Sequence, residues 1–182
     1  MSRITVVTRE NADAEQAPLL DAIQDKLGTV PNFLGILAHS PEALKAFLGL
    51  HGIAEQGRLD PQTRERIALI VAQDNACEYC LSAHTAIGGK AGLTSSEIEA
   101  NRAGTSKDTK AAAAVAFAQA LNTDLGDVTQ ADFDAVRQAG YGDAEIVEII
   151  THVGMNILTN LIGKASRVDI DFPKVSLQKR AA

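Results

Sequence analysis

The sequence has no tryptophan, and its only other aromatics are five Phe and two Tyr. Any core must therefore be built from Leu, Ile, Val and Ala, and hydrophobic residues at 46% of 182 are enough to build one. There is no run of 18 consecutive apolar residues, so no membrane-spanning segment is expected. The opening stretch MSRITVVTRENADAEQ lacks the apolar run of a secretory signal, so the expected compartment is the cytoplasm. Basic clusters are missing too. The net charge is −6, which argues against a nucleic-acid partner. Cysteine is scarce, with two residues in the chain. Both fall in 73-QDNACEYCLSAH-84, with His84 four positions beyond the second. Where thiols are kept reduced, such a pair points to catalysis or metal binding rather than to a structural staple.

Strand patterns are also lacking. Beyond a weakly alternating start (1–12, read as extended), apolar residues recur with helical period almost throughout. Leu19, Leu20, Ile23 and Leu27 share a face that Gly28 closes, and Pro31-Asn32-Phe33 reads as a turn into a short helix. Ser40-Pro41 and Asp60-Pro61 read as N-caps with proline at the first helical position. The helix after Asp60 shows an apolar face at Ile67, Ile70 and Val71. Thr94 and Glu97 have capping-box spacing, residues 110–121 are a strong Ala-rich helix former, and 142–168 is a long final helix. The class is all-α, expected as one domain over 1–182. Its parts are a motif-bearing half (14–93), a second helical half (94–168) and an irregular tail (169–182). A degenerate duplication is hinted at: Glu65, Cys77 and Cys80 have the same spacing as Glu148, Asn160 and Gly163.

The cysteine stretch carries the chemistry. Asn75 is expected to cap the helix with Glu78 completing the box, which puts Cys77 in the first turn and Cys80 just after it. The positive end of a helix favours a thiolate. Helical spacing sets 77, 80 and 84 on one stripe, so His84 can take a proton from Cys80. A sulfenic acid formed on one cysteine would condense with the other. The loop so closed is tiny and would stabilise by only about 1–2 kcal/mol, which favours a redox cycle over a staple. Glu65, in 64-RERIALIVAQ-73, could hold the proton if the fold brings it to the thiols.

Glu65, eleven residues, Cys77-Glu-Tyr-Cys80, three residues and His84 together resemble the E-x11-C-x-x-C-x3-H motif of AhpD-like alkylhydroperoxidases, within the carboxymuconolactone decarboxylase superfamily. Pro31-Asn-Phe-Leu and Asp171-Phe172-Pro173 resemble its peroxidase-related members. The resemblance implies an AhpD-like helical bundle, a homo-oligomer and peroxide reduction without a bound cofactor. By it, Cys80 is the peroxidatic thiol, Cys77 the resolving thiol exposed to the reductant, and Glu65 with His84 the proton relay. The implied partners are a small hydroperoxide and an external dithiol, for which a lipoylated or thioredoxin-like protein is a candidate. AhpD itself has histidine where this chain has Tyr79, a poor base at neutral pH, so the relay is expected to be shorter here.

Two other readings stay open at this stage. One is a proton-transfer enzyme of the lactone-decarboxylase kind, to which two thiols add nothing. The other is a thiol or zinc sensor with Cys77, Cys80, His84 and Glu65 as ligands, although no second half of a zinc motif is present. His51, on the apolar face of its helix, is either a pocket residue or a satisfied core histidine. His152, Asn156 and Asn160 form a polar ridge on the last helix that faces a pocket or an oligomer contact.

Overall fold

Local signals set most of the helix ends. Ser40 Oγ accepts the Ala43 N–H at 3.2 Å, and Asp60 Oδ1 accepts the Thr63 N–H at 2.9 Å, each ahead of a first-turn proline. Thr129 and Asp132 cap each other reciprocally. The computed structural model describes residues 2–178; residue 1 and the end of the expected tail, 179–182, lie outside the described residues. Among the described residues the helices are α1 (Gln16–Leu27), α2 (Asn32–Leu37), α3 (Pro41–Ala54), α4 (Pro61–Asp74), α5 (Glu78–Lys90), α6 (Ser95–Arg102), α7 (Thr109–Thr123), α8 (Gln130–Gln138) and α9 (Asp143–Ser166). No strand occurs among them, so the all-α expectation holds. The segment expected to be extended is so only in part: residues 9–11 form a turn, closed by the Asn11 N–H on the Thr8 carbonyl at 3.3 Å, while the Val7 N–H bonds the Gly35 carbonyl at 3.1 Å. Gly35 permits that approach: a Cβ there would lie 2.7 Å from the Val7 oxygen.

One expected cap forms only in part. Thr94 accepts the Glu97 N–H at 3.2 Å, but the Glu97 carboxylate turns inward. There it takes hydrogen bonds from Arg66 Nε at 2.9 Å, Asn101 Nδ2 at 3.0 Å, Ser106 Oγ at 2.5 Å and the Lys107 N–H at 3.0 Å. Four donors around a buried carboxylate outweigh the single backbone donor a capping box offers.

Helix α4 is the axis of the fold. The sequence shows one apolar face on it, but the structure buries both. Ile67, Ile70 and Val71 belong to one buried cluster with residues of α7, α8 and α9, whereas Leu69 and Ala72 belong to another with residues of α1, α2, α3 and α5. Ala114 and Ala118 of α7 are wholly buried, which lets α7 lie close to α4 and α9. Helix α9 is long and apolar enough, by length and composition, to cross a membrane. Here it packs on α3, α4, α5 and α7 and buries His152, Asn156 and Asn160, as a core helix does. The tail is irregular but packed: Val175 N–H bonds Ser82 Oγ at 3.0 Å, and Arg102 donates to the Ser176 carbonyl at 2.8 Å.

Candidate active site

Helix α4 stops short of the cysteines, and this decides how they are presented. Asn75 is its C-cap. Ala76 is left-handed, with φ 52°, and the Cys77 N–H still bonds the Ala72 carbonyl at 2.9 Å. Cys77 is then itself the N-cap of α5, and its Sγ accepts the Cys80 N–H at 3.4 Å. The expected Asn75 cap is therefore corrected. Asn75 closes the preceding helix, its amide bonding Asn122 Oδ1 at 2.9 Å and Asn160 Oδ1 at 3.0 Å. Cys77 stands before the helix rather than in its first turn, so only Cys80 and His84 keep the expected helical stripe.

Both thiols are free and buried, Cys77 at 1% exposure and Cys80 at 3%. The expectation that Cys77 is exposed is thus corrected as well. Helix α9 covers it at Gly163, where a Cβ would lie 3.3 Å from Cys77 Sγ and 3.7 Å from Cys80 Sγ. The two sulfurs share one proton balance. The Cys80 side chain donates to Cys77 and holds the Cys77 thiol below its usual range against burial, with smaller help from the backbone N–H, His84 and Lys164. Cys80 is pushed up by that same hydrogen bond, by burial and by the Cys77 charge; Asn160 and Thr159 oppose this without offsetting it. The first negative charge therefore rests on Cys77, at the positive end of α5.

His84 Nδ1 lies 2.8 Å from Glu65 Oε2, joining α5 to α4. Burial alone would depress the imidazole, but the charge and hydrogen bond of Glu65 outweigh it and raise the His84 value. Among the described residues no hydrogen bond links His84 to either sulfur; both Cys80 and the His84–Glu65 pair face one cavity of about 160 Å³. Its walls are Phe33, Phe47, Tyr79, Met155 and Phe172, with Arg64 and Thr159 also lining it.

The other expected pocket residues divide. Tyr79, His51, His152 and Asn156 line this cavity. Tyr79 serves as a wall: its Oη accepts the Phe33 N–H at 3.2 Å, and its ring packs between Phe33 and Phe172. His51 lies 3.6 Å from Glu55, and burial holds it below its usual value. His152 is lowered likewise, first by burial and then by Arg64. Asn160 is not a wall residue but stands behind the sulfurs. Its Nδ2 has no oxygen partner, and its side chain reaches toward Cys80. The tail residue Phe172 stands out in the sequence only through the family resemblance; no periodicity places an irregular segment on a cavity wall. Among the described residues no three His, Cys, Asp or Glu side chains converge as metal ligands, so the four residues of the zinc reading do not form a cage.

Comparison with known proteins adds to this geometry. Residues 41–122 match the family model for the carboxymuconolactone decarboxylase family. A solved peroxidase-related protein of Ralstonia eutropha, described as an alkylhydroperoxidase AhpD core, is 26% identical with a TM-score of 0.80, covering 93% of this chain and 92% of its own. A peroxidase-related protein of Silicibacter is 27% identical with a TM-score of 0.77, covering 87% of each chain. An uncharacterized protein of Haemophilus influenzae is 49% identical over 45 residues, which is 24% of this chain and 40% of that protein, so the match spans less than half of that relative.

Proposed function

We propose, from the match to the carboxymuconolactone decarboxylase family and the likeness to an AhpD core, that the chain is a thiol-dependent peroxidase that reduces hydroperoxides through Cys80 and Cys77. The observation that carries this reading is the placement of Cys80 on the wall of the cavity that the His84–Glu65 pair also lines, with the Cys80 N–H donating to the Cys77 Sγ behind it.

In this cycle Cys77, held down by the hydrogen bond from Cys80, is the first of the pair to ionise. The Cys80 proton passes to Cys77, and the charge moves to the sulfur that faces the cavity. Asn160, whose side chain already reaches toward Cys80, stabilises it. The Cys80 thiolate attacks the terminal peroxide oxygen; the S–O bond forms as the O–O bond breaks. The alkoxide leaves and takes a proton from protonated His84, which Glu65 holds in place. Cys77 then attacks the Cys80 sulfenic acid, and the hydroxyl departs with the Cys77 proton as water. The peroxide has gained two electrons and the cysteines have become a disulfide. An external dithiol, such as a lipoylated or thioredoxin-like protein, returns two electrons and two protons, one of which recharges His84. This cycle suits the cytoplasm, where dithiol reductants keep such pairs reduced.

The test is dithiol-coupled consumption of tert-butyl hydroperoxide. Wild type should turn over, and Cys80→Ser should not. Cys77→Ser, which removes both the proton acceptor and the resolving thiol, should react slowly, consume at most about one peroxide per chain and form no intramolecular disulfide. Full turnover by the double Cys→Ser protein would overturn the reading.

A further inference from the structure

The cavity has a second polar end that the peroxide cycle does not use. Arg64, on α4, lines it and donates from Nη1 to the Glu55 carbonyl at 2.5 Å. Among the described residues no carboxylate lies within ion-pair distance of Arg64. Glu55 turns to His51 at 3.6 Å, and Glu65 is committed to His84. His152, on α9, lines the same end and is buried, at 3% exposure. Its Nε2 is buried with no hydrogen-bond partner. A buried polar atom left idle on a cavity wall costs stability unless a ligand satisfies it. The rest of the lining is largely apolar, with Phe33, Phe47 and Met155, and α9 adds Asn156 and Thr159 to it.

The geometry points to a substrate with a carboxylate at one end: an amphipathic, medium-chain hydroperoxide whose carboxylate sits on Arg64 and His152 while its peroxide end meets Cys80. A guanidinium is a planar fork that matches a carboxylate, and an imidazole beside the bound anion takes a proton and donates from Nε2. Spacing along α9 sets the length. His152 and Asn160, which reaches Cys80, are eight residues apart, about 12 Å along the axis. A short hydroperoxide fills only the thiol end; a chain of medium length spans both. This inference rests on the peroxidase reading only for the identity of the reacting group, not for the carboxylate.

Calorimetric titration with ω-hydroxyoctanoate, the reduced form of such a substrate, and with its methyl ester separates the two. The acid should bind at least about tenfold more tightly than the ester, the worth of a hydrogen bond to a charged group. Arg64→Gln should bring the two to near equality, and Arg64→Lys should restore part of the difference. With ω-hydroperoxyoctanoate the same ordering should appear in kcat/KM relative to the ester, carried by KM. Equal binding of acid and ester to the wild type, or no binding of either, would overturn the inference. So would an acid preference that survives in Arg64→Gln. None of these outcomes bears on the peroxidase cycle, which stands or falls with Cys80→Ser and tert-butyl hydroperoxide.

Discussion

At the scale of single residues, ionisation does most of the work, and its sign is testable. His84 has a raised value because Glu65 sits 2.8 Å away. A group raised on folding stabilises the protein fully below its ordinary value, about 6.5, and loses that contribution as pH rises through the raised value. Glu65→Gln should therefore lower the melting temperature relative to wild type in mildly acid buffer, with the gap closing above neutrality. His84→Ala should cut kcat/KM by roughly a hundredfold or more, the usual worth of a positioned acid. Glu97 has the opposite sign. Burial would raise it, but its hydrogen bonds to Ser106, Asn101, Lys107 and Arg66 hold it down at about 2. Its stabilisation is present above the ordinary glutamate range and fades as pH falls through about 2. Glu97→Gln should cost about 3 kcal/mol at neutral pH, measured by urea unfolding, and should flatten the acid limb of the stability profile. Cys77, Cys80, His84 and Glu65, the residues of the proposed site, stand out in the sequence because of their spacing. Arg64 does not: one arginine in an RER run looks like any solvated charge until a cavity forms against it.

Among the helices, the close approach of α9 to the head of α5 matters most. Gly163 is where it happens, with a would-be Cβ 3.3 Å from the Cys77 sulfur. Gly163→Ala gains helix propensity of up to about 1 kcal/mol but crowds both sulfurs. Overall stability should stay within about 1 kcal/mol of wild type. Disulfide closure after peroxide, followed by loss of free thiols, should slow. Closure at the wild-type rate would mean that α9 does not confine the pair. Helical spacing alone led to a different presentation of Cys77. It could not show that Ala76 adopts a left-handed turn, which is what moves Cys77 from the first turn to the cap. The two prolines and their caps, by contrast, are local signals, and α3 and α4 begin where those signals stand.

For the whole molecule, one surface asks for a neighbour. Val147, Ile150, Leu158 and Leu161 project from α9 at 41–64% exposure, spaced by three, eight and three residues along one side. The homo-oligomer implied by the family resemblance offers this stripe an occupant, a second copy of the chain, and burying it would remove an exposed apolar patch. Leu161→Asp should shift the protein to a smaller species in sedimentation velocity while leaving its helical circular dichroism unchanged. An unchanged sedimentation coefficient would place the contact elsewhere.

The sequence by itself determined the all-α class, most helix starts and the four-residue thiol motif. Each of these is written in short-range terms: apolar period, cap chemistry and residue spacing. Only the tertiary structure decided which thiol faces the cavity and which lies behind it, that Glu65 reaches His84 across two helices, and that Phe172 returns from the tail to wall the site. Those facts depend on how α4, α5 and α9 pack together. Packing is fixed by the fit of many side chains at once, and no local pattern encodes it.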